Sequence, residues 1–142
     1  LLNDINPNLI NFYRWLKKGL FIELDLMNSE RRFYAARNRF NELIAIGKGE
    51  TKEAASLFYY LNRTCYNGLC RFNRKGEFNV PFGKYRKVSY RYDFTAYKRQ
   101  FENWEFTDST FQAIRLRSGD FVYADPPYDV EFRQYSKGGF TW

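Results

Sequence analysis

The chain has 142 residues, 44% hydrophobic and 27% charged, which is enough for one domain with a real core and too little for two. It contains no histidine and only two cysteines, Cys65 and Cys70; this excludes histidine-based catalysis within the chain, leaves no plausible zinc set and makes no disulfide scaffold. No apolar run reaches membrane-spanning length and no signal-peptide pattern is present, so no membrane partner is expected and a reducing cytoplasm is the expected compartment.

In chain order, Leu1-Leu2 reads as the tail of a buried strand, which places Asp4 at a strand end just before a helix. Asn6 with Pro7 behind it is a favoured helix start, and Ile10, Tyr13, Leu16 and Leu20 recur at helical spacing. A second helix is expected from Ser29 to Ile46, with Phe33, Arg37, Phe40 and Ile44 on one stripe and Gly47 as its stop. Thr51 opens a third, carrying Ala54, Phe58, Leu61 and Cys65. The character then changes. Tyr66-Asn67-Gly68, Asn73-Arg74-Lys75-Gly76 and Phe82-Gly83 are closely spaced turn signals that predict loops and hairpins. Asp93 is expected to cap another helix through about Glu102, Trp104 to Thr107 a short strand, and Asp108 a helix with Phe111, Ile114 and Leu116 on its apolar side. Ser118-Gly119 turns the chain into a strand over Phe121–Ala124.

Strands alternating with helices predict an α/β protein with a parallel sheet, interrupted by a large helical and hairpin insert. Residues 1–25 and 93–142 fall to the sheet-bearing part and 26–92 to the insert. So few strands cannot complete such a sheet, and the chain is expected to be the middle of a larger protein.

Net charge is +7, and it is concentrated. Between Leu61 and Arg91 stand Arg63, Arg71, Arg74, Lys75, Lys84, Arg86, Lys87 and Arg91 against the single acid Glu77, while acids and bases balance elsewhere. Interleaved with aromatics and turns, this points to a polyanion partner rather than a merely solvated basic loop.

The chemistry gathers at Asp125-Pro126-Pro127-Tyr128, after the apolar run Phe121–Ala124. Proline lacks an N–H and holds φ near −65°, so this stretch is stiff and shows carbonyl acceptors without backbone donors. Beside them sit a carboxylate, acceptor-only when ionised, and a ring able to stack. Acceptors in a row with a flat wall suit a planar group bearing an –NH2, such as a nucleobase amine. Asp-Pro and Pro-Pro also punctuate ordinary loops, so the string alone does not decide.

Three stretches together resemble the Dam-type, D12 class DNA adenine-N6 methyltransferases. Asp125-Pro126-Pro127-Tyr128 is similar to their catalytic motif. Leu61-Asn62-Arg63 and Tyr66 through Asn73, continuing from Gly76 to Tyr85, resemble their target-recognition segment. Asp4-Ile5-Asn6, with Leu9-Ile10 after it, resembles their cofactor-ribose motif.

The resemblance implies a Rossmann-like S-adenosylmethionine-dependent methyltransferase fold, present in part, with a mainly helical target-recognition insert. It implies methyl transfer from S-adenosylmethionine to the adenine amino group, with GATC in double-stranded DNA as target, in a bacterial or phage cytoplasm. A monomer and no metal are expected. Asp125 and the Pro126 carbonyl would accept from the amine, with Pro127 and Tyr128 completing the motif and Tyr128 stacking on an extruded base. Asp4 and Asp125 would face the cofactor; Asp108 either approaches the cofactor's adenine or caps a helix, and is left unassigned. Arg71 would read guanine, Tyr66 wedge into the stack, and Asn67 meet the orphaned thymine. Leu69 and Pro81 would touch neighbouring bases, and Lys75, Lys84, Arg86 and Lys87 would hold phosphates. The family's Gly-rich cofactor loops would precede Leu1, so the segment alone is expected to lack part of the cofactor site. Asp-Pro-Pro-aromatic motifs also serve amino-methyltransferases of RNA and cytosine, and a non-catalytic DNA-binding fragment is a further alternative.

Overall fold

A computed structural model describes residues 1–125. Strand β1 (Leu2–Asn3) pairs in parallel with β2 (Phe106–Thr107), Leu2 opposite Phe106 and Asn3 opposite Thr107. The Asn3 side chain extends this short ladder. Its Oδ1 accepts from Thr107 Oγ1 at 2.8 Å and from the Ser109 amide at 3.1 Å, and its Nδ2 donates to the Ser109 carbonyl at 2.8 Å.

Between the strands lie helices whose starts follow local chemistry. Helix α1 (Pro7–Lys17) begins where Asn6 Oδ1 accepts from the Asn8 amide, with Pro7 in the first turn. Helix α2 (Glu30–Ala45) is capped by Ser29, and α3 (Lys52–Thr64) by Thr51, whose hydroxyl accepts from the Ala54 amide at 3.2 Å. Helix α2 stops at Ile46, and Gly47 follows at φ 73°, where glycine has no Cβ to clash.

Helix α3 is the central member, packed by α1 and α2 and with buried residues around most of its circumference. Phe12 of α1 stacks on Tyr59 of α3 at 5.9 Å, and its neighbour Tyr13 stacks on Phe106 of β2 at 5.5 Å. Adjacent residues of one helix thus bind the helical body and the sheet together. A buried polar clip helps: Asn11 Nδ2 donates to the carbonyls of Gly49 and Thr51. Such pairing removes the cost of burying an amide.

Four expectations require correction. The buried face of α2 is Phe33, Ala36, Phe40 and Leu43; Arg37 is not on it, because its guanidinium stands over the Tyr34 ring and donates to the Val80 carbonyl. Asp93 does not start a helix, because it bridges to Phe21 and its carboxylate caps the Thr95 amide, leaving only α4 (Tyr97–Gln100). After Asp108 there is a 3-10 turn over Phe111–Ala113 in place of a helix. Asp108 is engaged by Arg14 at 2.6 Å, and among the described residues it caps no helix. Residues 121–124 form no ladder and are exposed, Phe121 at 91%; a strand exists only with a pairing edge, and among the described residues only β1 and β2 pair as strands.

Candidate nucleic-acid interface

Helix α3 ends because Cys65 leaves helical backbone, at φ −76° and ψ 163°. Cys65 then bridges antiparallel to Phe82, the Tyr66 amide donates to Pro81 O at 2.9 Å, and the Gly83 amide donates to Thr64 O at 2.8 Å. The segment 65–83 is therefore closed on itself at the end of α3. Gly83 marks the tightest approach: a Cβ there would lie 2.7 Å from the Cys65 carbonyl oxygen, so a side chain would force the two ends apart.

Inside that closure, Tyr66–Gly68 make a 3-10 turn with Asn67 in left-handed backbone, φ 52° and ψ 22°. Asparagine is among the few residues with a side chain that adopt it readily. The turn holds Tyr66 and Asn67 out toward solvent, Tyr66 at 52% exposure.

A small hairpin follows. The Asn73 amide donates to Glu77 O at 2.9 Å, Phe72 bridges to Phe78, and the Asn79 amide donates to Arg71 O at 3.2 Å. The turn closes because Asn73 Oδ1 accepts from the amides of Lys75 and Glu77. Alternation places Phe72 and Phe78 on one face, where both meet Phe40 of α2, and Arg71 and Asn79 on the other. Helix α2 also grips the hairpin backbone: Asn41 Oδ1 accepts from the Phe78 amide at 2.8 Å while its Nδ2 donates to the Phe78 carbonyl at 3.1 Å. One amide side chain thus satisfies a strand edge as a neighbouring strand would.

The basic residues divide into two sets. Arg63 donates from Nε and Nη2 to the Ser89 carbonyl, and Arg91 lies 6.0 Å over the rings of Phe94 and Tyr97, so these two hold the structure. Arg74, Lys75, Lys84, Arg86 and Lys87 are exposed, and among the described residues none enters an ion pair. Lys84 sits at φ 53° directly after Gly83. An open groove of about 500 Å³ is lined by Asn67, Gly68, Tyr85 and Lys87 together with Asn62, Arg63, Val88 and Ser89. Val88 and Ser89 carry no motif; only the return of the chain past α3 brings them here. Pro81 is exposed, whereas Leu69 is half-buried against the core, and Arg71 is half-buried with its Nε donating to Asn79 Oδ1 at 2.9 Å.

Asp4 stands at the carboxyl end of β1, half-exposed, and its Oδ1 accepts from the Asn6 amide at 2.7 Å. Asn6 Nδ2 in turn lies 3.3 Å from Cys70 Sγ, so the start of α1 touches the segment that bears Tyr66 and Arg71. Asp125 is exposed, and no hydrogen bond joins it to Asp4. Pro126, Pro127 and Tyr128 lie outside the described residues. Among the described residues no group of three or more Cys, Asp or Glu is placed to hold a metal ion, and no helix is long and apolar enough to cross a membrane.

Both thiols are structural. Burial pushes Cys65 and Cys70 up from the ordinary 9.0 to about 11, so each is protonated at neutral pH. A raised acid favours the folded state below its unfolded pKa, and that contribution disappears as pH rises through the folded one. Native-state alkylation by iodoacetamide is accordingly expected to stay slow up to pH 9.0 and to accelerate as pH approaches about 11, with folding stability falling over the same interval. Alkylation at pH 8 as fast as that of the urea-unfolded chain would contradict this.

The geometry is a basic, aromatic turn-and-hairpin platform packed on a helical body beside a strand-end acid. Known proteins carry the same sequence pattern. A DNA adenine methylase of Serratia marcescens is 38% identical, covering 99% of this chain and 56% of that protein. The Retron Ec67 DNA adenine methylase of Escherichia coli is 35% identical, covering 99% and 52%, and a DNA adenine methylase of Escherichia coli K12 is 33% identical, covering 99% and 55%. The chain spans about half the length of these relatives. Its own match extends over residues 1–141, from the strand end that bears Asp4 through the platform and beyond Tyr128, and it belongs to the D12 class N6 adenine-specific DNA methyltransferase family.

Proposed function

We propose that this chain is the target-recognition and catalytic-motif segment of an enzyme that methylates the N6 amino group of adenine within GATC in double-stranded DNA, using S-adenosylmethionine. Its two-stranded parallel sheet would be part of a larger Rossmann-like sheet, with residues 26–92 as the recognition insert. The observation that carries this reading is the exposed Tyr66–Asn67 turn, which shares a groove with Lys87 in a segment carrying five cations outside any ion pair among the described residues, joined through Asn6 and Cys70 to the helix start that holds Asp4.

On the DNA side, Lys75, Lys84, Arg86 and Lys87 hold phosphates; they position the duplex without reading it. Arg71 reads a guanine through its guanidinium fork. Tyr66 fills the stack where adenine has left, Asn67 meets the orphaned thymine, and Leu69 and Pro81 make apolar contacts. Leu69 can give only the part of its surface that the core leaves free.

On the chemical side, the adenine amino nitrogen is a poor nucleophile, since its lone pair is conjugated into the ring. Asp125 and the Pro126 carbonyl accept its two N–H groups, favouring a pyramidal nitrogen and stabilising the positive charge that grows on it. Pro127 keeps the ledge stiff and Tyr128 stacks on the base. S-adenosylmethionine supplies an electrophilic methyl group when bound. Asp4 suits its ribose: one carboxylate oxygen is committed to the Asn6 amide, which fixes the group and leaves the other oxygen as an acceptor. Asp125 also borders the cofactor.

The test is methyl transfer by the protein in its full natural length to duplexes containing GATC, duplexes with one base of that site changed, cytosine-only duplexes and RNA. Incorporation into adenine of GATC duplexes is expected. Incorporation confined to RNA or to cytosine would replace this reading with the other amino-methyltransferases, and duplex binding without any transfer would leave a DNA-binding protein.

A further inference from the structure

The hairpin shows how a single arginine is aimed. Arg71 and Asn79 are directly opposed across the ladder, since Phe72 bridges to Phe78 beside them and the Asn79 amide donates to Arg71 O. They share the face turned away from Phe40. Across it, Arg71 Nε donates to Asn79 Oδ1 at 2.9 Å and Nη2 approaches the Asn79 carbonyl oxygen at 3.5 Å. Asn79 therefore occupies the side edge of the guanidinium. Among the described residues no acceptor bonds the end-on edge, which carries a hydrogen on each terminal nitrogen, and that edge matches two adjacent acceptors.

Asn79 is itself fixed. Its neighbours Phe78 and Val80 are fully buried, Asn41 clamps the Phe78 backbone, and Arg37 donates to the Val80 carbonyl. An arginine free on a surface must lose its rotamer freedom on meeting DNA; one tied at Nε to a rigid strand has lost much of it already.

We infer that Asn79 is the positioning residue of the specificity determinant, holding Arg71 by its side edge so that its end-on fork meets the paired acceptors of guanine. This rests on Arg71 being the base reader. Asn79 touches the guanidinium and sets its direction; it reads no base itself.

The experiment compares kcat/KM for duplex methylation by the full-length protein on GATC and on the same duplex with the guanine replaced. The ratio of the two is the discrimination. Arg71→Ala is expected to lower it by roughly fivefold to a hundredfold. Asn79→Ala, with Arg71 intact, is expected to lower it about three- to tenfold. Asn79→Asp keeps an acceptor for Nε and should retain the wild-type ratio even though its added charge slows all duplexes alike. Adding Asn79→Ala to Arg71→Ala should change the ratio no further. A structural role alone would lower rates on both duplexes in parallel and leave the ratio where it was. That result for Asn79→Ala, with Arg71→Ala still relaxing discrimination, would overturn the positioning role and leave Arg71 as reader. An unchanged ratio for Arg71→Ala would instead remove the reader, and the positioning role with it.

Discussion

Asp125→Ala in the full-length protein is expected to reduce methyl transfer by about 10²–10³-fold, the usual loss when one preorganised partner of a developing charge is removed. Two parts of the proposed mechanism lead there. The carboxylate accepts one of the two adenine N–H groups, and it carries the negative charge nearest the nitrogen that becomes positive. Both are worth more in the transition state than before it, since the N–H groups become stronger donors as the nitrogen turns pyramidal and positive, so kcat should fall further than affinity for duplex DNA. Asp125→Asn separates the contributions: its amide oxygen still accepts but the charge is gone, and an intermediate rate is expected. The cations proposed to hold phosphates are other residues, Lys75, Lys84, Arg86 and Lys87, and this substitution leaves them in place, so the salt dependence of duplex binding should stay as it was. Undiminished transfer by Asp125→Ala, measured as labelled methyl incorporated per minute at saturating duplex, would end the proposed mechanism.

Phe40→Ala is expected to cost about 3–5 kcal/mol of folding stability, the range for deleting a buried phenylalanine ring. Phe40 is 0% exposed and is the point where α2, α3 and the hairpin meet: its ring lies 6.1 Å from Phe58, 6.4 Å from Phe72 and 6.3 Å from Phe78. Few changes elsewhere would open a void against three elements at once. Because Phe72 and Phe78 form the inner face of the hairpin, the cavity also loosens the strand pair that presents Arg71. A urea midpoint shifted by less than the equivalent of about 1 kcal/mol would mean the site collapses freely and the aromatic junction does not anchor the hairpin. The exposed substitution Lys84→Ala is the useful contrast, since it should leave the midpoint within about 0.5 kcal/mol while weakening binding to every duplex alike.

Much of the helical body was legible because its instructions are local. Asn6-Pro7, Ser29 and Thr51 each start a helix through side-chain oxygens that reach amides two or three residues ahead, and all three are observed doing so. The turn chemistry between Tyr66 and Gly83 was legible for the same reason, since Asn67, Asn73, Gly76 and Gly83 carry their conformational requirements with them. Where a residue had a distant partner, local reading went astray. Asp93 and Asp108 both look like helix caps; Phe21 bridges to the first and Arg14 takes the second, and neither helix forms as expected.

The basic segment makes the same point about function. Eight cations and one acid predict a polyanion partner without any structure. Which of them remain for that partner depends on Ser89 accepting from Arg63 and on the rings of Phe94 and Tyr97 lying under Arg91. Helix starts, turns and net charge are properties of neighbours in sequence, fixed by a few covalent links. The direction of Arg71, the grip of Asn41 on the hairpin and the tie from Asn6 to Cys70 are contacts between residues 8, 37 and 64 positions apart. Only the packed α1–α3 body brings such residues within hydrogen-bonding reach, so only the folded chain could decide them.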